Sequence, residues 1–132
     1  KAEVNYFSFF MCLTFQYLRS PTKFVLTLYR AISAAERNDY ESSGEFRTSL
    51  NTLEGKQFFK SEIAIREFAR KAEIRSYKPP YILFLTIDID DHCLDALRPD
   101  NQILDGFEAI TINEDNLHAF NNCVNLVNYN DL

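Results

Sequence analysis

Two charged residues sit inside otherwise apolar runs, and both are of types that do chemistry. Arg30 interrupts FVLTLYRAI (Phe24 to Ile32), and Glu108 stands near the start of FEAITI (Phe107 to Ile112). An arginine fork matches the oxygens of a phosphate in a bidentate manner. A carboxylate can stabilise positive charge that develops at a sugar carbon, and can orient a nucleophile. Tyr29, Phe58 and Phe68 offer flat faces on which a cationic ring could stack. Each residue also has a plainer reading. A buried arginine needs an acidic partner, and a strand glutamate often just faces water. Phenylalanines usually fill cores. Tyr29 is next to Arg30 on a strand and should face the other side.

A second constellation is Asp88, Asp90 and Asp91 followed by His92. The D-x-D spacing puts two carboxylates on one strand face, where they could hold a divalent metal for a hydrolase. The alternative is a strand that ends in a polar, solvated turn. His118 reads as a helix-surface residue without an acid-base partner. Arg66, Arg70 and Lys71 read as a solvated helix face. The cysteines are Cys12, Cys93 and Cys123. Their number is odd and no pair is spaced C-x-x-C, so three buried thiols are expected rather than a zinc site or a disulfide scaffold.

The elements that must position these residues follow from periodicity and punctuation. The 132 residues suit one domain, and the net charge of -5 argues against a broad grip on nucleic acid. Lys1 to Thr22 forms an N-terminal part, with a buried helix expected at Val4 to Leu18; 23 to 132 forms the core. Tyr6 to Leu18 is the most apolar stretch, yet it is too short for a membrane span and lacks the flanks of a signal peptide. A strand is expected at Phe24 to Ile32. Ser33-Ala-Ala-Glu36 then reads as a capping box opening a short helix that closes near Ser43-Gly44. Gly55 to Phe59 reads as a short strand. Ser61 caps a helix over Glu62 to Ala72 with Ile63, Ile65, Phe68, Ala69 and Ala72 on its apolar face. Pro79-Pro80 breaks the chain before the strand Tyr81 to Ile89. Leu94 to Asp105 reads as irregular, with a helical turn at its start. Phe107 to Ile112 is a strand, and Asn113 caps a last helix reaching Val127. The expected fold is α+β, a small mixed sheet with surrounding helices.

Four segments in this order resemble the ADP-ribosyltransferase superfamily, above all the short C-terminal domains of bacterial polymorphic toxins. They are Leu28-Tyr29-Arg30-Ala31; Gly55-Lys56-Gln57-Phe58-Phe59; the helix bearing Ala64, Phe68 and Ala69; and Gly106 to Ile112 with Glu108. The resemblance spans about Phe24 to Phe120. It implies a sheet split into two packed sheets and NAD as substrate. It also implies cleavage of the nicotinamide–ribose bond, by an ADP-ribosyltransferase or an NAD glycohydrolase. By resemblance Glu108 is the catalytic carboxylate, and Arg30, Tyr29, Phe58 and Phe68 are the NAD-binding set, with no metal. Gly106 stands two residues before Glu108, where arginine-specific transferases carry glutamate. There is no S-T-S run; Ser49, Thr52 and Ser61 are loose substitutes. The implied acceptor, protein or nucleic acid, is therefore not arginine. The resemblance further implies a toxin or effector domain, cytoplasmic or delivered into a target cell, with an immunity protein as partner and no membrane association. A non-catalytic protein- or nucleotide-binding module on the same fold, and the Asp88/Asp90 metal hydrolase, stay open.

Overall fold

The computed structural model describes residues 24–48 and 55–132. Their elements are β1 (Val25–Ser33), α1 (Ala34–Ser43), β2 (Lys56–Phe59), α2 (Glu62–Ile74) and β3 (Tyr81–Asp90). After these come α3 (Asp91–Ala96), β4 (Asp100–Leu104), β5 (Phe107–Ile112), α4 (Glu114–Cys123) and β6 (Val124–Asp131). The helix expected at Val4 to Leu18 lies outside the described residues.

Local chemistry sets most of the boundaries. Ser33 caps α1 by accepting the Glu36 N–H on its hydroxyl, and Ser61 caps α2 by accepting that of Ala64. Asp90 does the same for α3 through the Cys93 N–H. Asp105 and Gly106 join β4 to β5, both with positive φ (52° and 86°). That pair makes a two-residue hairpin turn whose twist matches the strands.

The strands form one sheet in the order β4-β5-β2-β1-β3-β6, and every pairing is antiparallel. This corrects the expectation of a mixed sheet in two packed layers. Pairing within the single sheet is uneven. β1 aligns with β3 along its whole length, from Val25↔Asp90 to Ser33↔Tyr81, but meets β2 at one residue pair, Tyr29↔Phe59. With four residues, β2 is too short to run a second long seam along β1. The sheet is thus two three-stranded halves, β4-β5-β2 and β1-β3-β6, joined at a narrow waist.

Alternation along each strand sorts side chains onto two faces. One face carries Leu28, Ile32, Phe58, Leu85, Ile87, Ile110 and Ile112, covered by Phe46 and by Leu94, Leu117 and Phe120 of α3 and α4. Phe58 and Phe120 lie 4.8 Å apart between ring centroids. The other face carries Ala31, Phe59, Phe84 and Ala109, covered by Ala64 and Ile65 of α2. Each large side chain so buried stabilises the fold by about 1.5–3 kcal/mol. Ile63, expected on the apolar face of α2, is instead 73% exposed. It falls about 100° round the helix from Ala64, outside the stripe that meets the sheet.

Two further expectations are corrected. Cys93 and Cys123 form a disulfide with 5.6 Å between their Cα atoms, tying α3 to the end of α4. The last helix stops at Cys123, and Val124–Asp131 pairs with β3 as an edge strand instead. Among the described residues no helix is long and apolar enough to cross a membrane.

Candidate functional site

Arg30 lies on the Leu28/Ile32 face of β1, with its guanidinium 5.7 Å from the centre of the Phe58 ring. The Ser33 cap turns the chain so that Glu36, in the first turn of α1, reaches back to the sheet. Arg30 Nε and Nη2 donate to the two Glu36 carboxylate oxygens at 2.7 and 2.9 Å, and Nη1 donates to the Gln57 carbonyl at 2.9 Å. Lys56 Nζ stands 3.5 Å from Glu36 Oε2, and its side chain is only 8% exposed. Two cations therefore share one carboxylate in a largely dry setting, and the cluster carries one excess positive charge. Three of the five N–H groups of Arg30 are committed to these partners, which leaves two for a ligand.

The titration behaviour of the cluster follows from this imbalance. Burial pushes the Glu36 carboxyl up, but the hydrogen bond and charge of Arg30, with Lys56, outweigh it and hold the group below its ordinary value. Burial, reinforced by the Arg30 charge, lowers the Lys56 ammonium, and Glu36 recovers only part of the loss. A second ion pair, Asp39 with Arg47, lies alongside on α1 and the following loop.

Glu108 is on β5. Register pairs Phe58 with Ile110, so Glu108 sits beside Lys60 and its carbonyl accepts the Lys60 N–H at 3.2 Å. Its side chain is 70% exposed, and Lys60 Nζ is 3.6 Å from Oε1. By alternation Glu108, Phe58 and Arg30 rise from the same face. Two strand spacings and one two-residue step separate the Arg30 and Glu108 Cα atoms by about 12 Å. Buried Phe58 and, next to Glu108, Lys60 lie between them on β2 and its continuation.

The remaining expected site residues lie elsewhere. Tyr29 points to the opposite face, toward Phe84 at 6.3 Å between centroids, because adjacent strand residues alternate. Phe68 is also on that opposite face, packed between Phe59 (5.2 Å) and Tyr81 (5.6 Å), because the stripe of α2 that carries it faces the sheet. Neither shares a surface with Arg30. Phe58 is fully buried, so it supports the Arg30 guanidinium from below and offers no free face for a nicotinamide ring. Asp88 accepts a hydrogen bond from the Thr27 hydroxyl at 2.9 Å and Asp90 caps α3, so both carboxylates serve local structure. Among the described residues no three His, Cys, Asp or Glu side chains gather as a metal site.

Glu36 and Lys56 complete the site, one from the Ser33-Ala-Ala-Glu36 pattern and the other from the Gly55–Phe59 segment. Ser33-Ala-Ala-Glu36 forms only half of a capping box, since the Glu36 carboxylate turns to Arg30 and Lys56. Lys56 is the lysine of the Gly55-Lys56-Gln57-Phe58 segment. The glycine before it has a steric reason, because a Cβ at Gly55 would lie 2.2 Å from the Ile112 carbonyl oxygen. The chain matches no protein-family model, no curated protein and no solved structure.

Proposed function

We propose that this domain binds NAD and cleaves its nicotinamide–ribose bond, as an ADP-ribosyltransferase or an NAD glycohydrolase. The observation that carries the reading is the shared sheet face of Arg30 and Glu108, on the two strands that flank β2. The division of the sheet into two three-stranded halves supports it as well. So does the excess positive charge of Arg30 and Lys56 over Glu36, since a pyrophosphate is the anion that charge suits.

On this reading Arg30, with Lys56 behind it, anchors the pyrophosphate through its two remaining N–H groups. The nicotinamide ribose then extends over Phe58 toward Glu108. As the glycosidic bond breaks, nicotinamide leaves with the bonding pair and the ribose carbon becomes cationic. The Glu108 carboxylate stabilises that cation. An acceptor, or water, adds at the same carbon and gives up a proton. The acceptor is a protein or nucleic-acid group other than arginine. A toxin or effector role follows from the same reading, with an immunity protein that covers the Arg30–Glu108 face.

Incubation with NAD and chromatography of released nicotinamide tests the proposal. Turnover that is lost in Glu108→Gln while NAD binding persists supports it. Absence of both binding and release, with and without added acceptors, ends it.

A second reading is a binding module without chemistry. The bidentate grip of Glu36 on Arg30 favours it, since a carboxylate already fills much of the fork. The burial of Phe58 favours it too. Calorimetry separates the two, because a module binds a nucleotide or a partner protein without releasing nicotinamide.

A further inference from the structure

A cavity of about 710 Å³ lies on the other side of the sheet, between the last turns of α2 and the start of β3. Its volume is that of a small-molecule site. Arg66, Arg70, Tyr77, Lys78 and Tyr81 line it together with Glu73. Three cations and one acid face the cavity, and two of the cations are paired with Glu62 and Glu67, which lie outside its lining.

The aromatic part of the cavity is ordered from within. The rings of Phe59, Phe68, Tyr81 and Tyr77 form a continuous ladder from core to surface, with successive centroids 5.2, 5.6 and 5.3 Å apart. The last step is a stack, with Tyr77 inclined 19° to Tyr81. Tyr77 is 51% exposed, so one face of its ring is covered by Tyr81 and the other is open. Ser76, just before it, holds a left-handed φ of 54° that non-glycine residues rarely adopt. The Tyr77 N–H is tied to the Ala72 carbonyl at 2.9 Å, which fixes the platform to the end of α2.

The cationic part can be redirected. Arg66 holds Glu62 through Nε, and Arg70 holds Glu67 through Nε and Nη2. These are exposed pairs on one helix, and such pairs are weak. Arg70 can turn toward an anion in the cavity with little loss, whereas Arg66 also stacks on Phe84, 4.9 Å from the ring centre, and meets an anion from there.

We propose that this cavity binds a nucleotide, with the base stacked on the open face of Tyr77 and the phosphate held by Arg66, Arg70 and Lys78. A flat ring joined to a phosphate uses both halves of the lining; a bare anion or a neutral aromatic compound uses one. The site shares no lining residue with the NAD reading and lies on the opposite face of the sheet from Arg30 and Glu108, although Tyr81 in its lining feels the charges of Arg30 and Glu36.

Titration calorimetry of the whole chain with adenosine monophosphate, inorganic phosphate, adenosine and a short single-stranded oligoadenylate tests it. Adenosine monophosphate should bind more tightly than adenosine or phosphate, and added salt should weaken it. Tyr77→Leu and Arg70→Gln should each weaken binding, the former by about 5- to 100-fold, with circular dichroism unchanged. Tighter binding of the oligonucleotide assigns the site to a nucleotide within a strand, and tighter binding of the monophosphate assigns it to a free nucleotide; both support a nucleotide pocket. No heat with any nucleotide at millimolar concentration overturns the proposal. So does nucleotide binding that is unchanged in both variants, since such binding lies elsewhere, on the Arg30 face included.

Discussion

Reduction of the Cys93–Cys123 disulfide should lower the stability of the domain by several kcal/mol. The bond closes a loop with a sequence separation of 30 residues. In the chain-entropy treatment a closed loop of that length removes about 12 cal/mol/K from the unfolded ensemble, or about 3.6 kcal/mol at 25 °C. Spread over the unfolding entropy of the described residues, 24–48 and 55–132, this is a fall in melting temperature of about 17 °C. Reduction is a cleaner perturbation than alanine replacement. Cys123 is only 3% exposed, and truncating it adds a cavity cost to the loss of the cross-link. The measurement is a pair of thermal melts by circular dichroism, with and without reductant, and a thiol titration of the denatured, unreduced chain. Two more reactive thiols should appear after reduction than before it. Coincident melts refute the magnitude, and three thiols before reduction refute the bond itself.

Three further perturbations probe the cluster and the seam beside it. Glu36→Gln should cost about 3 kcal/mol at neutral pH, because it leaves two cations together without their carboxylate. The folded-state pKa of Glu36 is depressed, so its contribution is present above the unfolded value and is lost as pH falls through the folded one. Urea titrations between pH 6 and pH 3 should therefore show a flatter acid limb in the variant, and an unchanged limb counts against the network. Lys56→Met should leave stability within about 1 kcal/mol of the parent, since it removes a poorly compensated buried charge. The same variant should weaken NAD binding in calorimetry, and unweakened binding removes Lys56 from the site. Gly55→Ala should cost about 3 kcal/mol in urea unfolding, because its Cβ would meet backbone atoms of Ile112 and Asn113 at 2.2–3.0 Å, beyond what side-chain motion can relieve. A loss below 0.5 kcal/mol would mean that the β2–β5 seam yields more easily than its pairing suggests.

Local signals with a direct steric or hydrogen-bonding cause were legible in the sequence. Ser33 and Ser61 as caps, the helix end at Gly44 and the strand Phe107–Ile112 are of that kind. The β4–β5 hairpin has a local signal as well, the Asp105-Gly106 dipeptide, and its first strand replaces part of the irregular stretch expected at Leu94 to Asp105. The end of α4 was harder. Val124 and Val127 continue the apolar spacing of a helix, and only pairing with Leu83–Ile89 makes that segment a strand. The disulfide was hidden for a related reason, since Cys93 and Cys123 meet only when α3 and α4 pack on one face.

At the site, alternation alone separated Tyr29 from Arg30. The position of Phe68 depended on which stripe of α2 meets the sheet. The partner of Arg30 was the least legible feature. Glu36 lies six residues away across a strand end and a helix start, and its carboxylate is aimed by the cap geometry of Ser33.

Use of NAD by this face of the sheet is tested by the rate of nicotinamide release from NAD by the parent domain, Arg30→Ala and Glu108→Gln, with NAD binding followed in parallel. The proposal predicts release by the parent, weaker binding in Arg30→Ala, and intact binding without release in Glu108→Gln. Release that is unchanged in Glu108→Gln, or NAD binding that is indifferent to Arg30, would contradict a shared site on this face of the sheet.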